Sequence, residues 1–248
     1  MKDYTLEVCA DSVESVLAAE SGGATRIELC RNLVIGGTTP DSGLVRQIRK
    51  YSDIRIHVLM RPRYGDFLYS DHEFEIMKDE ISMFRELGVQ GIVIGMLRAD
   101  GHLDTDRMNV LKETAGDMSV TLHRAFDLCA DPMEAMEQAI QMGIDTILTS
   151  GQRECCVEGA ELLAKLQEKS AGRIVIQAGA GVDKKAVEYL YKETGIRAYH
   201  MSGKKISNSA MEYRRMGVCM GLPSISEYEL MNTDEDKVRE VKELLERL

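Results

Sequence analysis

The sequence predicts a single α/β domain, a (βα)8 TIM barrel over residues 1–248, and three observations carry that expectation. Short β-branched runs alternate with amphipathic stretches, which implies parallel strands joined by helical crossovers. Eight such units fit within roughly 200 residues, a length that favours closure into a barrel. The turn after the first strand, Cys9-Ala10-Asp11-Ser12, lacks the glycine fingerprint of a doubly wound nucleotide-binding sheet.

Taken in order, the strands are expected near 4–9, 25–30, 54–60, 91–95, 119–124, 145–149, 173–178 and 198–202. Between them, Phe74–Leu87 carries Ile76, Glu80, Met83, Phe84 and Leu87 at helical spacing, and Met133–Met142 and Gly159–Glu168 share that period. Asp131-Pro132 and Asp183 read as helix starts, and Gly88, Gly143 and Gly195 as the glycines that end helices. Gly36-Gly37-Thr38-Thr39-Pro40 reads as a loop over the barrel mouth, a lid. Beyond Gly203 the alternation fades. Residues 204–232 are expected to be an irregular loop and 233–248 a charged closing helix, capped at Thr233 or Asp234.

A net charge of -10 argues against nucleic acid and membrane surfaces as partners. No apolar run approaches the ~20 residues that span a bilayer. The start, MKDYTLEVCADS, runs into a strand without a signal-peptide core, so a cytoplasmic location is expected. Six cysteines, Cys9, Cys30, Cys129, Cys155, Cys156 and Cys219, show no CxxC spacing and suit reduced thiols.

Strand parity separates two faces. Leu6, Val8, Ile27, Leu29, Ile56, Val58, Ile92, Ile94, Val120, Leu122, Ile174 and Ile176 suit packing beneath helices. The opposite face carries Glu7, Cys9, Glu28, Cys30, His57, His123, Thr149, Gln177, His200 and Ser202, a polar layer inside the barrel. Buried charges need partners, so this layer is either a satisfied structural network or a site. Barrel enzymes work at the C-terminal mouth, which makes Glu7, Glu28, His57, His123 and His200 acid–base candidates.

The strand ends add anion-binding chemistry. Arg61-Pro62-Arg63 gives a cationic lip after strand three, and Arg124 follows His123 on strand five. Gln177, with the glycine-rich turn Gly179-Ala180-Gly181, ends strand seven, and Ser202-Gly203-Lys204 ends strand eight, the usual phosphate cradle of such barrels. The arginines have an alternative use in ion pairs with Asp66, Asp127 and the inward glutamates Glu7 and Glu28. Cys9 and Cys30 are expected at matching levels on neighbouring strands, where two soft sulfurs suit Cu(I).

At these residues the sequence resembles the CutC family. The shared segments are Glu7-Val-Cys9, Arg26-Ile-Glu28-Leu-Cys30, Gly36-Gly-Thr-Thr-Pro40, His57 with Arg61-Pro-Arg63 and Gly65-Asp-Phe67, and Tyr69-Ser-Asp71. His123-Arg-Ala-Phe-Asp127, Leu148-Thr-Ser-Gly-Gln152, Ala178-Gly-Ala-Gly-Val182 and His200-Met-Ser-Gly203 continue the match in order. Tyr64 departs from it, standing where a second glycine is expected. The resemblance implies a barrel, a cytoplasmic location and a role in copper homeostasis, with Cys30 and Cys9 as copper-binding thiols. Two functions therefore stand side by side: copper binding, or an enzyme acting on a small anionic substrate. The expected partner is a small molecule or copper ligand, in a chain that forms a homo-oligomer.

Overall fold

The computed structural model describes residues 4–222 and 225–248. Eight parallel strands close in sequence order: β1 (Thr5–Ala10), β2 (Arg26–Leu29), β3 (Ile56–Leu59), β4 (Gly91–Ile94), β5 (Ser119–Leu122), β6 (Thr146–Thr149), β7 (Val175–Ala178) and β8 (Ala198–Met201), with β8 back on β1. The helices that return the chain are α1 (Val13–Ser21), α2 (Ser42–Ile48), α3 (Asp71–Glu86), α4 (Thr105–Ala115), α5 (Pro132–Gln141), α6 (Ala160–Ser170) and α7 (Lys184–Thr194). Asp131 caps α5 by accepting from the Met133 and Glu134 N–H groups, and Asp183 caps α7 through the Ala186 N–H. Ser70 and Glu73 form a reciprocal capping box at α3.

The outward strand face is as expected. Ile27, Leu29, Ile56, Val58, Ile92, Ile94, Val120 and Leu122 are fully buried in the layer between barrel and helices. Each contributes about 1.5–3 kcal/mol by leaving water, which fixes the opposite parity inward.

Three expectations are corrected. Residues 204–232 are not one irregular loop, because β9 (Lys204–Asn208) and β10 (Glu229–Thr233) pair antiparallel as the stem of an arm. Thr149 does not face the interior: on β6 it is Leu148 that lies level with inward Gln177, while the Thr149 hydroxyl turns to Asp127. Cys9 and Cys30 are not level, since Cys9 lies opposite Glu28 and Cys30 sits two residues further along.

The closing helix α8 (Glu235–Leu245) begins at the Asp234 cap. It buries Val238, Val241 and Leu245 against α1 and α7, beside the β8–β1 closure. No helix among the described residues is long and apolar enough to cross a membrane.

Candidate functional site

Strand register builds the centre. Glu7 on β1 lies opposite Arg26 on β2 and His200 on β8, so three charges meet where the barrel closes. The Arg26 Nε donates to Glu7 Oε2, and its Nη2 donates to Gln177 Oε1 at 2.8 Å. Gln177 Nε2 returns to Glu7 Oε1 at 2.9 Å, and His200 Nδ1 meets that same oxygen at 2.8 Å. Burial alone would raise the Glu7 carboxyl, but the Arg26 and His200 cations hold it well below the usual carboxylate range.

Glu28 is the second carboxylate, with Oε2 3.7 Å from His200 Nε2. Burial pushes its carboxyl up to about 7, and the Glu7 charge adds to that against the pull of His200. Burial disfavours the His200 cation, yet Glu28, Cys9 and Glu7 outweigh burial and lift the imidazole well above its ordinary value. Cys9 lines the same cavity as this ring. Glu7, Glu28 and His200 offer ligand atoms within 4.8 Å of one another, and no other such group of His, Cys, Asp or Glu occurs among the described residues.

A cavity of about 470 Å³ opens above this centre at the strand C-termini. Cys9, Glu28 and His200 line its closed-seam side, Arg61, Phe67, His123 and Arg124 the other, and Gly181, Ser202 and Lys204 the rim. Arg61 donates to the Gly37 and Gly65 carbonyls at 2.8 and 3.0 Å. With Thr39 bonded to Arg61 in both directions, the stretch expected to be a lid is pinned to β3. Arg124 pairs with Asp127 at 2.7 Å. The Lys204 ammonium meets no carboxylate among the described residues.

The other named residues lie elsewhere. Glu7 and Gln177 sit in the interior network beneath the cavity, fully buried. His57 is also deeper, its ring lying over Gly91 of β4, where an added Cβ would come within 2.6 Å. Burial pushes His57 down to about 4, so it is neutral. Arg63 is turned away from the cavity: it pairs with Glu73 at 2.7 Å and Asp66 at 3.0 Å, the alternative its sequence position left open. Gly179 makes room for Leu148, which an added Cβ would meet at 2.6 Å. Gly203 lines a neighbouring cleft with Lys184 and Lys237.

Cys30 is fully buried under Leu59, Val93 and Leu33, with its thiol 3.6 Å from the Ala10 carbonyl. Burial, then the Cys9 sulfur, pushes that thiol well above its ordinary value. The soft donor within reach of the cavity is therefore Cys9, beside the His200 imidazole. One contributor was missed from sequence, and another was expected. Arg26 has the same inward parity as Glu28. Asp127 anchors the loop after β6 by accepting from Thr149, Ser150, Gln152 and Arg124.

The CutC family model matches residues 4–205. A CutC family protein of Bacteroides fragilis is 46% identical over all of this chain and 98% of its own length. The human copper homeostasis protein cutC homolog is 42% identical over 95% of this chain and 87% of its own. A Streptococcus agalactiae structure described as a CutC copper homeostasis protein superposes with a TM-score of 0.76 at 30% identity, covering 80% of this chain and 98% of that one. On the match of its residues 4–205 and on its identity to these relatives over nearly its whole length, the chain belongs to the CutC family.

Proposed function

We propose that this chain serves copper homeostasis, as its relatives' names indicate, and that it takes copper as cargo at the seam of β1, β2 and β8. The observation that carries this reading is that Cys9 and His200 line one cavity together, where Glu7, Glu28 and His200 bring their ligand atoms within 4.8 Å of one another. A thiol and an imidazole are the donors there that suit Cu(I), while Cys30, the other thiol the family resemblance implies, lies buried under Leu33, Leu59 and Val93. Metal entry must displace protons from Cys9 and His200. The six free cysteines fit a reducing cytoplasm, which we assign as the compartment. The arm exposes Ile206, Met216, Met220 and Leu230, which supports a homo-oligomer.

Titration of Cu(I) against a competing chelator tests this. The Cys9→Ser, Cys30→Ser double variant is expected to lose roughly tenfold or more in affinity, on the order of 1.4 kcal/mol. Unchanged affinity removes the seam as the copper site.

A second reading, an enzyme or binding protein for a small anionic molecule, is favoured by the cavity itself. The His200 cation forms its floor, and Lys204, Ser202 and the Gly181 turn its rim. A melting temperature that rises with added anion is its test.

A further inference from the structure

Across the cavity from the copper seam, two buried N–H groups have no acceptor. His123 caps the turn Arg124–Leu128 and accepts the Ala125 N–H at Nδ1, 3.1 Å away. A neutral ring with Nδ1 accepting must carry its proton at Nε2. Burial, then the Arg61 cation, pushes the ring down to about 3, so it stays neutral at physiological pH. That Nε2 is buried and without a partner.

Arg61 shows the same deficiency. Its Nη1 serves the Gly37 and Ile35 carbonyls and its Nη2 the Gly65 carbonyl, while Nε is buried and unpartnered. Both side chains line the cavity and pack on one ring. Phe67 lies 4.8 Å from the His123 ring, centroid to centroid, and 5.4 Å from the Arg61 guanidinium carbon. Gly95 of the loop after β4 makes this possible, because a Cβ there would fall 2.5 Å from the imidazole.

Buried donors in folded proteins are almost always satisfied. Two orphans, one neutral and one charged, on the same aromatic platform mark the place of an acceptor that the chain does not supply. We propose that the Phe67 corner is a carbonyl-oxygen subsite. It holds an sp² oxygen of a small organic acid, such as a 2-oxo acid, between His123 Nε2–H and Arg61 Nε–H. The acid's remaining charge faces Lys204 and His200. A phosphate dianion is the poorer fit, since it calls for more donors than one neutral N–H and one guanidinium N–H. In this arrangement His123 is a hydrogen-bond donor and not a general base. The inference rests on the cavity being a small-molecule site.

The test is nitrogen-15 NMR of histidine-labelled full-length protein, with sodium pyruvate and sodium phosphate as the two probes. His123 is expected to hold the neutral Nε2–H tautomer from roughly pH 5 to 8, across the range where an ordinary histidine titrates. Pyruvate should move its Nε2–H signal and raise the melting temperature, and phosphate should leave that signal in place. A His123→Leu variant is expected to lose roughly tenfold or more in pyruvate affinity, and His123→Gln, which keeps a donor, to recover part. A His123 that titrates near the ordinary imidazole value, or that carries its proton at Nδ1, overturns the subsite, as does equal pyruvate affinity in His123→Leu. Phosphate raising the melting temperature while pyruvate does not overturns the subsite and leaves the small-anion reading standing. Failure of both probes removes both.

Discussion

Glu7 keeps its charge inside the barrel because its contacts there are donors: Arg26, Gln177 and His200. Removing one partner of such a pair leaves the other charged, buried and unpaired. Arg26→Met is therefore expected to cost about 3–5 kcal/mol in urea unfolding at neutral pH. A loss below about 0.5 kcal/mol, the scale of an ordinary surface change, would show that Glu7 is held by Gln177 and His200 alone. This is also where sequence reading was strongest and weakest. Parity placed Glu7, Glu28, His57, His123, Gln177 and His200 inside correctly, because the apolar opposite face of their strands left them nowhere else to point, and it misplaced Thr149 on β6, where both faces carry a threonine. It passed over Arg26, which shares that parity, since a long cation on the first residue of a strand reads as a solvated edge. Arg63 carried no signal to separate it from Arg61. The difference lies in Glu73, a helix-capping residue ten positions later.

At the scale of elements, the eight βα units and their caps were legible because hydrophobic period, cap residues and C-terminal glycines all agreed. The arm on β9 and β10 was not. Its strand Lys204–Asn208 is exposed throughout or nearly so, and burial is what writes period two into a sequence. The closing helix α8 was visible, but its docking was not. Gly22, at the end of α1, lies so close to α8 that a Cβ would fall 2.7 Å from Val238 Cβ and 2.8 Å from the Glu235 carbonyl oxygen. Gly22→Ala must push the helix off the barrel, and a loss of about 1–3 kcal/mol is expected, with α8 losing amide-exchange protection before the strands. Wild-type stability and protection in this variant would mean that α8 is not seated on α1.

For the molecule as a whole, stability depends on pH through groups that oppose one another. His57 and His123 are pushed down by burial to about 4 and about 3, so the unfolded chain takes up their protons first. Their contribution is complete above the ordinary value of 6.5 and is lost as pH falls toward those values. Glu7, held low, likewise contributes above the ordinary carboxylate value and fails only in strong acid. Glu28 and His200 act in the other direction. The folded state keeps the Glu28 proton from 4.5 up to about 7, so stability falls as pH rises through that window. The His200 contribution is present below 6.5 and is lost as pH rises through its elevated folded value. A Glu28→Gln variant should therefore lose a stability slope of up to about 1.4 kcal/mol per pH unit within the Glu28 window. Urea unfolding at several pH values reads that slope directly, and superimposable profiles for wild type and variant would show that Glu28 titrates as an ordinary carboxyl.

One strand contributes to this site by giving nothing. Gly91 of β4, and Gly95 just past its end, cede their side-chain space to imidazoles from β3 and β5. The wall between those strands is thus made of borrowed matter, and each glycine and its ring form a single inherited unit. Neither member of a pair can drift alone: an alanine at 95 evicts the ring at 123, while a small residue at 123 leaves a void that a glycine cannot fill. Among descendants of this chain, positions 91 and 57 should change together or not at all, and so should 95 and 123. The breadth of what the mouth can accept is then set by the strand that carries none of its chemistry.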